Sequence, residues 1–168
     1  MSPQASAYPE GFDRVRRALI ERGHPHAPLW LHEAVRTSKE AADLLGVAVG
    51  QIAKSVIFRR LGEGGAGDQA VLVVASGDRR VDERQVAALT GPLGRADAAF
   101  VKAHTGFSIG GVAPLAHLQP VLTLIDRDLF RFDQIWAAAG HPNGVFKLAP
   151  QDLVTLTGAP VADVVLLP

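Results

Sequence analysis

The stretch Gln51-Ile-Ala-Lys-Ser-Val-Ile-Phe58, followed after a glycine-rich break by Ala70-Val-Leu-Val-Val-Ala75, decides the fold. From Ile52 to Phe58 the side chains alternate. Ile52, Lys54, Val56 and Phe58 take one face and Ala53, Ser55 and Ile57 the other, which is the period of a strand. Ala70 to Ala75 is apolar on both faces and reads as a buried strand. The segment between them, LGEGGAGDQ over Leu61–Gln69, reads as a flexible hairpin connection.

Working outward, helices flank this pair. Upstream, an N-terminal helix over 9–23 carries Phe12, Val15, Leu19 and Ile20 on one face, with Gly23 where a C-terminal cap belongs. Residues 24–28 form a linker and Leu29–His32 a short strand. Thr37-Ser-Lys-Glu40 has capping-box spacing and opens a helix that Gly46 closes. Downstream, Asp82 caps a helix running to Leu89, and Asp97 caps one running through His104 to Gly106. Val121–Ile125, Ile135–Ala139 and Val145–Leu148 read as strands, the last two around a Gly140–Gly144 turn. Pro150 opens a final helix closed by Gly158, and Val161–Val165 reads as a last strand. Strands and helices interleave irregularly, with hairpin-like spacing in places. The expected fold is therefore α+β (mixed α/β), a mixed sheet with helices packed on it, in one domain over 1–168.

Composition narrows the function. The chain has 168 residues, 17 basic against 17 acidic side chains, no Cys and 48% hydrophobic residues, which excludes a disordered chain. Without Cys there is no disulfide scaffold, thiolate nucleophile or Cys-based zinc site, and a reducing cytoplasm is the expected location. A net charge of zero argues against a protein that coats nucleic acid non-specifically, but not against one that grips one short RNA end. The start, MSPQASAYPEGFDR, lacks the basic-then-apolar pattern of a secretory signal. Ala103–Ile125 holds no Asp, Glu, Lys or Arg, yet its glycines and prolines make it a loop leading into a strand, not a membrane helix.

Four features carry candidate chemistry. The chain uses Arg 13 times and Lys four, and Lys54 sits mid-strand among apolar neighbours. There it is either a point charge for a phosphate or a developing oxyanion, or an amphipathic side chain whose ammonium escapes to solvent. Gly106-Phe-Ser-Ile-Gly-Gly-Val-Ala-Pro114 is a tightly turned loop whose backbone N–H groups can hold an anion, a polarised carbonyl or a water. It also spells Gly-x-Ser-x-Gly, and Ser108, Asp126 and His141 follow in the order of an α/β-hydrolase triad. That pattern lacks the strand before it and the helix after it. Finally, His141 sits in the turn Gly140-His-Pro-Asn-Gly144, as a base, a donor to substrate or a turn residue, and Asp126 ends a strand, either capping it or holding an amine. His24 and His26 lack a third ligand for a metal. The pairs Arg16-Arg17, Arg59-Arg60 and Arg79-Arg80 are surface cations that together can touch phosphates.

The order of these pieces is more specific than any one of them. Glu40-Ala-Ala-x-Leu-Leu-Gly46, Gln51-Ile-Ala-Lys-Ser-Val-Ile-Phe58, Val71-Leu-Val-Val, Ser76-Gly-Asp-Arg-Arg80, Thr105-Gly-Phe-x-x-Gly-Gly-Val-x-Pro114, Ile125-Asp126, Ala139-Gly-His-Pro142 and Leu153 resemble the YbaK/ProX family. Its members are free-standing relatives of the editing domain of bacterial prolyl-tRNA synthetases. The resemblance runs from about residue 30 onward and implies a sheet curled into a barrel-like core. It implies trans-editing, the hydrolysis of a wrong amino acid from the 3′ end of a tRNA, with no metal, cofactor or covalent nucleophile. It associates activity with Lys54, and the lining of the aminoacyl pocket with Gly110, Gly111 and Pro114. Together with the readings above, the expected catalytic residues are Lys54, Gly110 and Gly111, and the expected substrate-binding residues Ser55, Phe107, Ser108, Pro114, Asp126 and His141. The Gly-His-Pro turn points to the branches that remove Ala or another small residue from tRNA(Pro). No basic arm is present, which implies help from prolyl-tRNA synthetase or an elongation factor, and no role for DNA or a membrane. The competing expectations are a non-catalytic module that binds aminoacyl or nucleotide ends, and a serine esterase built on Ser108.

Overall fold

A computed structural model describes residues 7–63 and 67–168. The first six residues, read above for a leader, and positions 64–66 of the Leu61–Gln69 connection lie outside the described residues. Helix α1 (Glu10–Glu21) buries Phe12, Val15 and Leu19, as their spacing requires. Ile20, expected on the same face, is instead 64% exposed, because at 3.6 residues per turn it points well round from that stripe. Strand β1 (Leu29–Trp30) is shorter than the expected Leu29–His32. In helix α2 (Ser38–Leu45) the Thr37 hydroxyl accepts the Glu40 N–H at 3.1 Å, and left-handed Gly46 ends the last turn.

Strands β2 (Ile52–Arg60) and β3 (Gln69–Ser76) pair antiparallel from Ala53↔Ser76 to Arg60↔Gln69. Then come β4 (Arg80–Val81), α3 (Glu83–Thr90), β5 (Leu93–Arg95) and α4 (Ala98–Thr105). Asp82 and Asp97 cap the two helices, accepting from the N–H groups of Arg84 and Phe100. Strands β4 and β5 are too short to show an alternation, and the sequence reading did not find them. The uncharged stretch ends α4, crosses a loop and enters β6 (Leu122–Asp126). After it come β7 (Ile135–Ala138), β8 (Gly144–Leu148), α5 (Pro150–Thr157), β9 (Val161–Ala162) and β10 (Val165–Leu166). The expected single strand over Val161–Val165 is broken in two at Asp163-Val164. There the Val164 N–H turns to the Asp126 carboxylate and its carbonyl accepts the Asp82 N–H.

The larger sheet runs β1-β8-β7-β2-β3-β6-β9, with β5 also on β2, and β4 pairs β10 separately. It is mixed: β2/β7, β3/β6 and β6/β9 are parallel, and the other pairs are antiparallel. Its end strands β1 and β9 do not pair with each other among the described residues. On one face Leu72, Val74, Ile125 and Phe146 pack with α1. On the other, Phe58, Val71, Val73 and Leu124 pack with Val86 of α3 and with Val164.

Strand β2 is where the sheet forks. On one side β3 runs its whole length. On the other, β7 pairs only at Ile52 and Ala53, and β5 only from Phe58 to Arg60. Antiparallel backbones alternate in which neighbour they address. Because the Ile52 carbonyl accepts from Gly77, and Leu61 donates to Pro92, the groups of Lys54 and Val56 face β3 while those of Ser55 and Ile57 face the fork. The Ser55 N–H and C=O thus look into a break in the sheet with no strand partner among the described residues.

Helix α1 meets the core backbone to backbone. A Cβ on Gly11 would overlap the Gly140 carbonyl, one on Gly140 would overlap Gly11, and one on Gly144 would meet Phe12 Cδ2 at 2.5 Å. Arg14 stacks over Phe107, 4.3 Å from its centroid, and donates to the carbonyls of Ala116 and Thr105. One helix thereby holds both the Gly140–Gly144 turn and the Gly106–Pro114 loop.

The α2 cap is a direct test of the sequence rule. Thr37→Ala should cost about 0.5–2 kcal/mol in chemical denaturation, and Thr37→Ser should recover most of that loss.

Candidate active site

A cavity of about 560 Å³ follows the fork between β2 and β7. Alternation places Lys54 and Val56 on one face of β2 and Ser55 and Ile57 on the other, yet all four line the cavity because the sheet is open there. Val101, Val112 and Ala137 wall it on the α1 side, and Ile52, Trp136 and Ala41 on the α2 side. Arg36, Gly110 and His141 also line it. The wall is largely apolar, with a few polar groups converging on it, the usual make-up of a small-molecule site.

Lys54 is partly buried and its Nζ donates to the Arg79 carbonyl at 2.6 Å. Burial pushes its ammonium below the ordinary lysine range, while the Asp78 carboxylate pulls the other way. The carbonyl uses one of three ammonium protons and leaves donors for a ligand. The neighbouring Ser55 hydroxyl is hidden from solvent and has no hydrogen-bond partner. A buried hydroxyl left unpaired costs free energy that an incoming polar group can recover.

His141 Nδ1 accepts the Asn143 N–H at 3.1 Å, so the neutral ring carries its proton on Nε2. Burial and the nearby Arg36 charge hold the imidazole below its ordinary pKa, which favours that neutral donor. Gly110 has φ +96°, a conformation that side chains resist. Gly111 is needed for a different reason: a Cβ there would meet the His141 backbone at 2.7–2.8 Å. Its N–H donates to the Ser108 carbonyl at 3.1 Å, so this amide is spent inside the turn and is not free for an oxyanion. Gly110 is the loop glycine that lines the cavity.

Of the residues singled out in the sequence, the structure brings Lys54, Ser55, Gly110 and His141 to one cavity, with Gly111 directly behind His141. It does not bring the others. Phe107 is 1% exposed and packs beneath the loop against α1. Pro114 is buried away from the cavity, and Ser108 is exposed outside it. Asp126 is 1% exposed, and both of its oxygens are taken at 3.0 Å, by the N–H groups of Val164 and Asp128. It fastens two chain segments; burial, opposed by those two bonds, pushes its carboxyl above the usual range. With Asp126 so engaged and His141 Nδ1 taken by Asn143, the geometry of a Ser108–His141–Asp126 triad is not assembled. His24 is held through Nε2 by the Lys147 carbonyl at 2.8 Å. The sequence reading missed Arg36 and Trp136. Arg36 directly precedes the Thr37 cap, a position whose only signal is adjacency, and Trp136 lies in a strand read only as apolar.

Residues 32–156 match the aminoacyl-tRNA editing domain family. The chain is similar to the uncharacterized protein YwhH of Bacillus subtilis strain 168, 35% identical over 118 residues, spanning 70% of this chain and 72% of that protein. It is also similar to the multifunctional Ser/Thr-tRNA deacylase ProXp-y of Escherichia coli K12, 33% identical over 112 residues, spanning 65% of this chain and 66% of that protein. Among solved structures, a protein proposed as a trans-editing enzyme for prolyl tRNA synthetase superposes with a TM-score of 0.85 at 39% identity, covering 96% of this chain and 100% of that one. These similarities agree with the resemblance read from the motifs and with the mixed α/β fold expected from them.

Two substitutions separate the site from its supports. Gly111→Ala should reduce turnover of any substrate at least tenfold, because the added methyl displaces the His141 turn it abuts. Asp126→Asn should lower stability by about 1–3 kcal/mol, since the amide offers one acceptor where two N–H groups need one each, with turnover per folded molecule unchanged.

Proposed function

The chain belongs to the aminoacyl-tRNA editing domain family, and from that membership we propose that it is a trans-editing deacylase that clears mischarged tRNA, tRNA(Pro) carrying Ala or another small amino acid. The observation that carries this reading is the forked sheet, which brings Lys54, Ser55, Gly110 and His141 around one apolar cavity. In this reading the apolar walls receive the amino acid side chain, and rejection of proline is a steric expectation that the assay below tests. The name of the E. coli relative, a Ser/Thr-tRNA deacylase, supports a small amino acid.

The reaction needs a water, a place for the carbonyl oxygen to carry charge, and a proton route. In the proposed step water attacks the ester carbonyl, a C–O bond to water forms, and the C–O bond to the ribose breaks. The ribose oxygen leaves with the proton that the water gives up, relayed by the adjacent ribose hydroxyl, so the protein supplies no strong base. Lys54 holds the terminal phosphate or stabilises the developing oxyanion, and the Gly110 backbone and neutral His141 donate to substrate or water. Ser55 meets a polar group of the aminoacyl moiety with its otherwise unpaired hydroxyl. No described helix is long and apolar enough to cross a membrane, and we place the protein with the translation machinery in the cytoplasm. The balanced net charge favours delivery of the tRNA by prolyl-tRNA synthetase or an elongation factor.

The test is a deacylation assay on a panel of mischarged tRNAs. Wild type should release Ala or another small residue from tRNA(Pro) and spare Pro-tRNA, whose ring meets the wall. Equal rates on Pro-tRNA and every smaller ester would end the steric account, and silence on the whole panel would favour a binding module. Lys54→Ala should lower the rate about 10²–10³-fold, with poor rescue by Arg. Ser108→Ala should keep most activity, whereas a dead but folded variant would point to the serine esterase.

A further inference from the structure

In the proposed reaction the cavity receives the aminoacyl ester, and the nucleotide that carries it lies at or beside the mouth. Resting on the deacylase reading, we propose that Trp30 and Arg36 form the subsite for the 3′-terminal nucleotide, its base stacked on the indole and its phosphate held by the guanidinium, which leaves Lys54 to the developing oxyanion.

Trp30 sits at the rim by register, since β1 pairs it opposite Gly144, a residue of the cavity wall. Its ring lies 4.8 Å from that of His141, tilted by 33°. It is 37% exposed, on an edge strand whose other residue, Leu29, is 47% exposed. The buried Phe12 ring lies 5.2 Å from it at an interplanar angle of 89°, and Tyr8 extends the aromatic row at 5.3 Å. An exposed, oriented aromatic beside a catalytic mouth is what a nucleobase stacks on.

Arg36 is close enough to His141 for its charge to act on the imidazole. It lines the same mouth, is exposed, and would lie 3.7 Å from a Cβ placed on Gly110. Arg14, Arg16, Arg17, Arg59, Arg79 and Arg131 each lie against a carboxylate. Arg36, like Arg22, Arg60, Arg80, Arg84 and Arg95, has no carboxylate within ion-pair distance among the described residues, and of these six it is the one that lines the cavity. A chain with 17 cations and 17 anions cannot draw its affinity from a diffuse positive field. One stacked base and one local charge supply it without such a field, and they fix the ester over the cavity.

Three measurements decide the matter. In steady-state deacylation, Trp30→Ala should raise KM about 5- to 100-fold with the loss falling on KM rather than kcat, and Trp30→Phe should recover most of it. A substrate with an abasic 3′-terminal nucleotide should weaken the wild type by a similar factor and Trp30→Ala hardly at all. Arg36→Ala should flatten the dependence of log(kcat/KM) on log salt by about 0.7. If the abasic substrate penalises wild type and Trp30→Ala equally, or if Arg36→Ala leaves the salt slope unchanged, the subsite is wrong. If the wild type deacylates nothing, the parent reading has failed, and the subsite is then tested alone. Uncharged CCA trinucleotide titrated into the protein should shift the Trp30 indole N–H resonance, assigned by its loss in Trp30→Phe; no shift overturns the proposal. An effect of Trp30→Ala seen only with a synthetase present would make this face a protein contact and also overturn it.

Discussion

A strand that shares one edge between two unlike partners must leave part of that edge bare. Strand β2 gives its first two residues to β7 in parallel and its last three to β5 in antiparallel fashion. No single neighbour can follow both directions, so the middle of the strand stays open. Everything attributed to the site depends on that opening. It lets side chains from both faces of β2 reach one cavity, which an intact sheet would forbid because successive residues point to opposite sides. Lys54 and Ser55, adjacent in sequence, can therefore address the same ligand from opposite walls.

The opening is held by glycines that permit close contact, and at Gly140, where φ is +83°, also a backbone conformation that side chains resist. Gly111 presses on the His141 backbone, and Gly11 and Gly140 press on each other. These are fixed distances between chain segments, set where no side chain fits, and they tie the loop, the turn and the first helix into one frame around the cavity. The polar groups inside are consistent with such a frame. His141 has one nitrogen committed to Asn143, Lys54 has one donor committed to Arg79, and each retains another.

Much of this was legible in the sequence because it is local. The caps at Thr37, Asp82 and Asp97, the alternation from Ile52 to Phe58 and the turn between β7 and β8 depend on residues a few positions apart. The prominence of Lys54 was legible too, as a rare cation in an apolar strand. What was not legible depends on distant partners. Nothing in the run Ile52–Arg60 says that its neighbour changes midway, since the strand reads the same whether one partner or two lie beside it. Asp126 reads either as a cap or as a group holding an amine; the cap on the Asp128 N–H is local, whereas its bond from Val164, 38 residues away, leaves no trace in the local sequence. The Gly-x-Ser-x-Gly match, by contrast, is already discounted by the missing flanking strand and helix, and Ser108 lies outside the cavity.

The contact between Gly11 and Gly140 bears on what counts as the portable unit here. The stretch matched by the family runs from residue 32 to 156, and α1 lies wholly before it. A segment cut at that boundary and transplanted into another protein would carry every cavity-lining residue, yet it would lack the helix that props the His141 turn and clamps the glycine loop through Arg14 and Phe107. The chemistry and the scaffold that keeps it in register are thus encoded in different parts of the chain.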